Sequence, residues 1–253
     1  MIAKIERQEA LIAINDVMDA FDGVMVARGD LGVNLRPEKV PTAQKQIIRK
    51  ALETGKPVIT ATQMLESMTY NSTPTRAEAS DVANAVFEGT DAVMLSGETA
   101  VGAYPIEAVR TMDRIVREAE SHSLRPLAEP VFPQSNMVGF CSAAVRLAVD
   151  VDAAAIAALT RTGENAKILS ALRPRMPIIA LCEDESMIST LTMWEAILPL
   201  HMDHTPAIEE ASEIIRQEIA RKGMLPPGSQ VIVVGVSPGS TTGRTDFIRL
   251  ITV

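Results

Sequence analysis

The chain has 253 residues, a net charge of -8 and a hydrophobic content of 47%. That length and apolar content suffice for one large or two smaller packed domains, which excludes a disordered chain. The acidic balance, without clustered lysines and arginines, argues against a nucleic-acid partner and favours a small-molecule ligand. Cys141 and Cys182 have no paired spacing, which indicates a reducing compartment, by default the cytoplasm. The charged first residues precede no long apolar run, so no signal peptide, membrane anchor or membrane partner is predicted.

The first half of the chain alternates short apolar runs with longer amphipathic stretches. The runs are apolar on successive residues, which is typical of buried parallel strands. They predict strands over residues 23–28, 57–62 and 91–96. The amphipathic stretches predict helices over residues 10–20, 38–53, 76–88 and 105–122. Strand–helix units that recur about every thirty residues require crossover connections, so the strand-end loops gather at one edge of a parallel sheet.

Residues at the helix ends agree with these boundaries. Thr75 and Glu78 have the spacing of a capping box at the start of the helix over 76–88. Gly55 and Gly89 follow two predicted helices, and Pro105 stands in the first turn of another.

A segment with three prolines, residues 121–135, interrupts the alternation and is predicted to be a domain boundary. Beyond it, strands are predicted over 154–159, 177–182, 196–200, 230–236 and 246–252. The intervening helices are predicted over 135–149, 164–172, 186–194 and 206–222. We therefore expect two α/β domains, over residues 1–122 and 136–253.

Charged and polar groups lie at the predicted strand ends, where an α/β fold places its reacting residues. Lys4 and Glu6 alternate along one strand and therefore project to the same side. Asp30, at the end of the next strand, adds a second carboxylate. Two carboxylates that leave positions for water and substrate oxygens are the usual protein ligands of Mg²⁺. Thr62, one strand further, adds a hydroxyl that can donate to a bound group or relay a proton.

The residues from Gly29 to Gly32 predict a tight turn into a short helical turn at the same edge. The free backbone amides of such a turn can bind a carboxylate or a phosphate.

Each of these residues also has an ordinary structural interpretation. Asp30 could cap its own turn, Glu6 could pair with Arg28 or Arg7, and Thr62 could be a plain strand residue. Their occurrence together at successive strand ends favours a functional site. Other polar residues at this edge are expected mainly to satisfy backbone groups; they are Arg28, Gln63 and Ser96.

Six segments of the chain resemble pyruvate kinases in order and spacing. They are residues 4–6, 26–32, 56–68, 74–78, 80–86 and 94–100. The resemblance implies the second half of a TIM (β/α)8 barrel, followed by a separate α/β C-terminal domain for effector binding or oligomerisation. It also implies phosphoryl transfer in glycolysis, from phosphoenolpyruvate to ADP, giving pyruvate and ATP. The implied cofactors are Mg²⁺ or Mn²⁺, and K⁺ at a site outside this chain.

The resemblance also implies a role for each candidate residue. Lys4 would stabilise the transferring phosphoryl group and the enolate. Glu6 and Asp30 would bind the divalent metal. The amides around Gly29 and Asp30 would hold the substrate carboxylate, and the hydroxyl of Thr62 would lie at the pyruvate.

Compared with the family, this sequence starts within the fifth barrel strand. The first half barrel and the lid domain are therefore expected elsewhere, and an open half barrel must be covered. We consider, in this order, a fragment or truncated gene, pairing with a separate N-terminal half, and closure of one barrel by two copies. The family usually forms tetramers, so a homo-oligomer is expected, while activity of the isolated chain is undecided.

Two hydroxyl-rich loops of the second domain resemble the effector pocket for sugar phosphates in this family. Their candidate ligands are Thr160, Thr162, Gly163, Thr241, Thr242 and Arg244. Hydroxyls, amides and a guanidinium can hold a phosphate. Glu164 at the helix start would repel it, so plain connecting loops are the alternative.

Two other functions compete with an incomplete pyruvate kinase. One is a non-catalytic remnant that senses phosphorylated metabolites or regulates a full-length enzyme. The other is a different metal-dependent enzyme acting on pyruvate or its enolate, such as an aldolase, which the segments over 74–78 and 94–100 disfavour.

Overall fold

The computed structural model describes residues 1–122, 135–202, 208–235 and 245–253. The chain divides into two compact units, Met1–Pro126 and Leu127–Val253. Among the described residues, no helix combines the length and the apolar character needed to cross a bilayer.

In the first unit, four parallel strands form a sheet whose order follows the chain. The strands are β1 (Ile2–Ile5), β2 (Gly23–Ala27), β3 (Val58–Ala61) and β4 (Ala92–Met94). Its helices are α1 (Gln8–Ile12), α2 (Ile14–Ala20), α3 (Arg28–Asn34), α4 (Val40–Thr54), α5 (Arg76–Glu88), α6 (Gly97–Ala100) and α7 (Pro105–Ser121). Short 3₁₀ turns cover Pro37–Lys39 and Glu66–Thr69. Sequential strand order with helical crossovers is the order of a (β/α) barrel and differs from a doubly wound sheet, where the order reverses.

The core of the first unit lies between the sheet and its helices. Ile5 and Val26 on the sheet are buried against Met18 of α2 and Ile47 of α4. Along β1, Ala3 and Ile5 face this core, so Lys4 projects from the opposite face of the sheet. The alternation of β1 therefore directs the lysine away from the helical layer.

Several predicted boundaries of this unit are confirmed. The helix α5 covers the predicted residues, with both capping-box hydrogen bonds of Thr75 and Glu78 present. Gly55 and Gly89 end their helices with left-handed backbone, at φ +65° and +99°. The single helix predicted over 10–20 was wrong, because the backbone breaks at Ala13 into α1 and α2.

The second unit is a five-stranded sheet in the order β7-β6-β5-β8-β9. Its strands are β5 (Ala155–Leu159), β6 (Ile178–Cys182), β7 (Ile197–His201), β8 (Gln230–Gly235) and β9 (Phe247–Thr252). Its helices are α8 (Asn136–Asp150), α9 (Glu164–Ala171), α10 (Glu185–Leu191) and α11 (Ile208–Lys222). The strand β9 is antiparallel to β8 and the other pairs are parallel. Separate apolar clusters cover the two faces of the sheet. The predicted fold class, an α/β barrel part followed by a separate α/β part, is confirmed.

Candidate active site

Three charged side chains meet at the carboxyl ends of β1 and β2. The Nζ atom of Lys4 lies 2.8 Å from Oδ2 of Asp30 and also pairs with Oε1 of Glu6. Parallel pairing of β1 with β2 places the residues after Ile5 beside those after Val26, which brings Glu6 and the first turn of α3 together. The side chains of Lys4, Glu6 and Asp30 are 51%, 36% and 49% exposed. The cluster is therefore open to a ligand from solvent.

Mutual interaction keeps this cluster charged. The hydrogen bond to Asp30, followed by that to Glu6, raises the pKa of the Lys4 ammonium above its usual range. The hydrogen bond and the charge of Lys4 lower the pKa of the Asp30 carboxyl. At neutral pH the site therefore presents one ammonium between carboxylates.

The donor set of this cluster fits a hard divalent cation. Glu6 and Asp30 provide carboxylate oxygens, which Mg²⁺ and Mn²⁺ prefer, and leave positions for water and substrate oxygens. The described part of the chain contains no group of three or more His, Cys, Asp and Glu residues that could hold a metal. The carboxylates of Glu6 and Asp30 could bind a cation once the exposed Lys4 ammonium moves aside.

The hydroxyl of Thr62 is linked directly to the turn at the start of α3. The backbone N–H of Gly29 donates to Oγ1 of Thr62 over 2.8 Å. A hydroxyl that accepts this bond still has one hydrogen to donate and a second lone pair. The amide of Gly29, expected to be free, is therefore engaged by Thr62. The Gly29 amide and the Thr62 hydroxyl therefore lie together beside the charged cluster.

A sharp backbone turn follows β3 and positions Thr62. Thr62 and Gln63 have left-handed backbone, at φ +65° and +53°. The guanidinium of Arg28 donates to the carbonyl oxygens of both residues, with N···O distances of 2.6 and 3.0 Å from one nitrogen. Sequence reasoning missed this turn, since neither residue is glycine or asparagine, the residues that usually signal such a backbone.

The other polar residues of this edge differ in their contacts. Glu98 is buried and accepts from the backbone N–H groups of Leu65 and Ser96, at 3.1 and 2.8 Å. The Oγ atom of Ser96 is buried without a hydrogen-bond partner among the described residues. Gln63 is exposed. The sequence placed Glu98 in the segment 94–100 at this strand end but assigned it no contact.

In the first candidate effector loop, two of the candidate ligands bind each other. The hydroxyl of Thr160 accepts from the N–H of Gly163 over 3.0 Å, and Thr160 is buried. Gly163 has φ +78°, and an added Cβ would lie 2.7 Å from Sδ of Met187. Thr162 is exposed. The remaining candidates lie outside the described residues; they are Thr241, Thr242 and Arg244.

Comparison with known proteins gives consistent matches over both units. A family model described as the pyruvate kinase barrel domain matches residues 1–109. A second, the pyruvate kinase alpha/beta domain, matches residues 139–251.

Individual relatives agree with the family models. A protein named pyruvate kinase from Agrobacterium vitis is 41% identical over 257 residues, which cover 100% of this chain and 53% of the relative. One from Geobacillus stearothermophilus is 40% identical over 99% of this chain and 43% of the relative. One from Corynebacterium glutamicum is 43% identical, over 99% of this chain and 52% of the relative. The chain spans about half the length of the curated relatives it matches. With both domain models matched in order, this chain belongs to the pyruvate kinase family.

Proposed function

We propose that the cluster at the ends of β1, β2 and β3 takes part in phosphoryl transfer from phosphoenolpyruvate to ADP, giving pyruvate and ATP. The observation that carries the proposal is the bracketing of the Lys4 ammonium by Glu6 and Asp30, beside the linked Gly29 and Thr62. Family membership supports the same reaction.

Lys4 is the proposed electrostatic catalyst. Phosphoryl transfer spreads negative charge over the phosphoryl oxygens and leaves an enolate oxygen on the departing group. A preorganised ammonium stabilises that developing charge without a proton transfer. The ordinary pKa of a lysine lies far above neutrality, so the ammonium stays charged after a bound metal takes over its contacts with Glu6 and Asp30. Glu6 and Asp30 would hold a Mg²⁺ or Mn²⁺ ion, whose charge would offset that of the phosphoryl oxygens.

Thr62 is the proposed proton donor or relay. When the phosphoryl group moves to ADP, the bond between phosphorus and the enol oxygen breaks and the enolate carbon must take up one proton. The Thr62 hydroxyl accepts from Gly29, which leaves its hydrogen free to point towards a ligand. The amides around Gly29 and Asp30 are the proposed contacts of the substrate carboxylate, with the Gly29 amide shared with Thr62.

The remaining assignments are proposals on the same basis. Residues 1–122 form the catalytic part and residues 136–253 an effector or oligomerisation domain. The protein acts in the cytoplasm as a homo-oligomer, or in association with the other half of a barrel. A K⁺ requirement follows from family membership, with no ligand proposed in this chain.

The test is ATP formation from phosphoenolpyruvate and ADP with Mg²⁺, for the chain alone and with the first half barrel of a relative added. Lys4→Ala should lower the rate by about a hundredfold or more, because it removes the charge that the transition state requires. Lys45→Ala, an exposed lysine that pairs with Glu88 on the helical layer, is the matched control and should retain the rate.

Normal turnover by Lys4→Ala would exclude Lys4 from the mechanism. Binding of phosphoenolpyruvate without ATP formation, even with the first half barrel of a relative added, would instead favour a non-catalytic protein that senses or regulates.

A further inference from the structure

The turn that carries Thr62 has a backbone conformation that its residues disfavour. Thr62 and Gln63 both have φ in the left-handed region, at +65° and +53°. Side chains with a Cβ seldom adopt this region, and a β-branched threonine does so least readily. Such a conformation persists where surrounding contacts hold it, and it is often found at functional sites. The contacts that hold this turn therefore determine where the Thr62 hydroxyl lies.

One side chain supplies most of those contacts. The guanidinium of Arg28, with its side chain only 7% exposed, donates from Nε to the Thr62 carbonyl at 3.1 Å. One terminal nitrogen donates to the carbonyls of Thr62 and Gln63 and contacts Sδ of Met64, at 2.6, 3.0 and 2.7 Å. The other terminal nitrogen pairs with Asp81 of α5 at 2.5 Å. Arg28 thus binds the carbonyls of both left-handed residues while α5 fixes its own position.

Arg28 and Gly29 are consecutive and hold the same turn from two sides. The Arg28 side chain binds the backbone oxygens of residues 62 and 63, and the Gly29 amide binds the Thr62 hydroxyl. If the turn relaxed, the carbonyls would rotate and Oγ1 would leave the Gly29 amide. The side-chain hydrogen bonds of Arg28 go to the carbonyls of Thr62 and Gln63, to Met64 and to Asp81, so its side chain acts on the site through this turn.

We propose that Arg28 is a positioning residue, whose buried guanidinium holds the left-handed turn at Thr62 and Gln63 and thereby aims the Thr62 hydroxyl into the site. The inference deepens the proposed function and rests on it only for the catalytic consequence. Lysine is a poor replacement, because its compact ammonium cannot reproduce a planar fork that reaches two carbonyls and a carboxylate at once.

The first test measures the Gly29 amide, which needs no turnover. Hydrogen exchange of this amide is followed by NMR with glycine-selective ¹⁵N labelling of the full chain. Arg28→Lys should accelerate the exchange by about tenfold or more, because Oγ1 of Thr62 no longer protects the amide. Asp81→Asn retains the guanidinium but removes its charged partner, so it should accelerate the exchange to a smaller extent. This variant replaces Arg28→Lys in the test if Arg28→Lys does not fold.

A matched control separates positioning from loss of a buried arginine. Arg173 of the second unit is also buried, with 5% of its side chain exposed, and pairs with Glu195 at 2.8 Å. Arg173→Lys should leave the exchange of Gly29 within about twofold of the wild type. Equal acceleration in both variants would overturn the proposal.

A rescue variant tests the backbone directly. Gln63→Gly gives residue 63 free access to left-handed φ, so in the Arg28→Lys background it should restore most of the protection of Gly29. Unchanged exchange in Arg28→Lys, or no recovery in the double variant, would refute the positioning role.

The catalytic consequence is measured separately. In a preparation that forms ATP, Arg28→Lys should lower kcat by about tenfold, because Thr62 is the proposed donor of the proton to the enolate. The KM for ADP should change less than twofold, because Thr62 is not proposed to bind ADP. A KM effect without a kcat effect would contradict this. Absence of turnover in the wild type would refute the proposed function and leave the exchange result, and with it the role of Arg28 in the turn, intact.

Discussion

Replacement of Glu78 by glutamine should destabilise the first unit by about 2 kcal/mol. The Glu78 carboxylate accepts four hydrogen bonds: from the N–H and hydroxyl of Ser67 at 2.7 and 2.6 Å, and from those of Thr75 at 2.7 and 2.8 Å. A glutamine has one carbonyl oxygen and turns an NH₂ group towards the remaining donors. Oε1 accepts only the Ser67 N–H and Oε2 accepts the other three bonds, so a glutamine that keeps its oxygen at the Oε2 position turns its NH₂ group towards the Ser67 N–H. The unsatisfied Ser67 donor, together with the loss of charge from the three remaining bonds, costs about 2 kcal/mol.

The pH dependence of this difference has a definite sign. Burial alone would raise the pKa of Glu78, but the bonds from Ser67 and Thr75 outweigh it and the net pKa lies below the usual 4.5. A carboxyl with a lowered pKa in the folded state stabilises the protein above its unfolded pKa, and that contribution is lost as pH falls through the folded pKa. The stability difference between the wild type and Glu78→Gln should therefore be complete at neutral pH, start to shrink below about pH 4.5 and be lost once the pH is below the folded pKa.

Urea unfolding followed by far-ultraviolet circular dichroism measures the change in the free energy of unfolding. Trp194, the only tryptophan of the chain, lies in the second unit, so its fluorescence provides an internal reference. Glu107→Gln is the matched control, because the exposed Glu107 pairs, within the described part of the chain, only with Arg110 of α7. It should change stability by less than about 0.5 kcal/mol. A Glu78→Gln cost no larger than that of the control would refute the reasoning.

Three further predictions concern other parts of the chain. Lys4→Met should leave the urea midpoint unchanged, because the ion pairs that Lys4 makes are half exposed. The variant should bind Mn²⁺ more tightly in titrations monitored by electron paramagnetic resonance, since no ammonium competes for the carboxylates. Weaker Mn²⁺ binding would contradict this. Gly23→Ala should destabilise the chain by about 1 to 3 kcal/mol in urea unfolding, because the new Cβ would lie 2.8 Å from the carbonyl oxygen of Pro57; a neutral effect would show that the strands can separate. Burial raises the pKa of the Cys141 thiol to about 12. Burial, and after it the charge of Asp184, raises the pKa of the Cys182 thiol. Neither thiol should therefore react with a disulfide reagent at pH 8 until the protein is unfolded; rapid labelling of the native protein would indicate opening of the second unit.

Much of the fold was predictable because its signals are local. The helix α5 begins at a capping box and ends at a left-handed glycine, so sequence and structure agree at both ends. The short helix α6 has four residues, too few for a periodicity to appear. The break at Ala13 was missed because the amphipathic pattern continues across it, with Ile14 and Met18 facing the core.

The sequence predicted which residues form the candidate site, but not the hydrogen bonds between them. Parallel pairing made the approach of Lys4, Glu6 and Asp30 foreseeable, since successive strand ends meet at one edge. The bond from Gly29 to Thr62 depends on a left-handed turn that no residue type announces. Long-range contacts of one buried guanidinium set that turn, and such contacts leave no trace in local periodicity.

The pairing of β1 with β2 has a consequence for the charge of the site. Lys4 lies on β1 and Glu6 follows its end, and β1 pairs with β2 in one parallel register from Ile2 to Ile5. A shift of that pairing by one residue would turn the side chains of β1 to the other face of the sheet. The cationic group and one anionic group would then leave the site together, so a single short ladder fixes the charge that a metabolite meets.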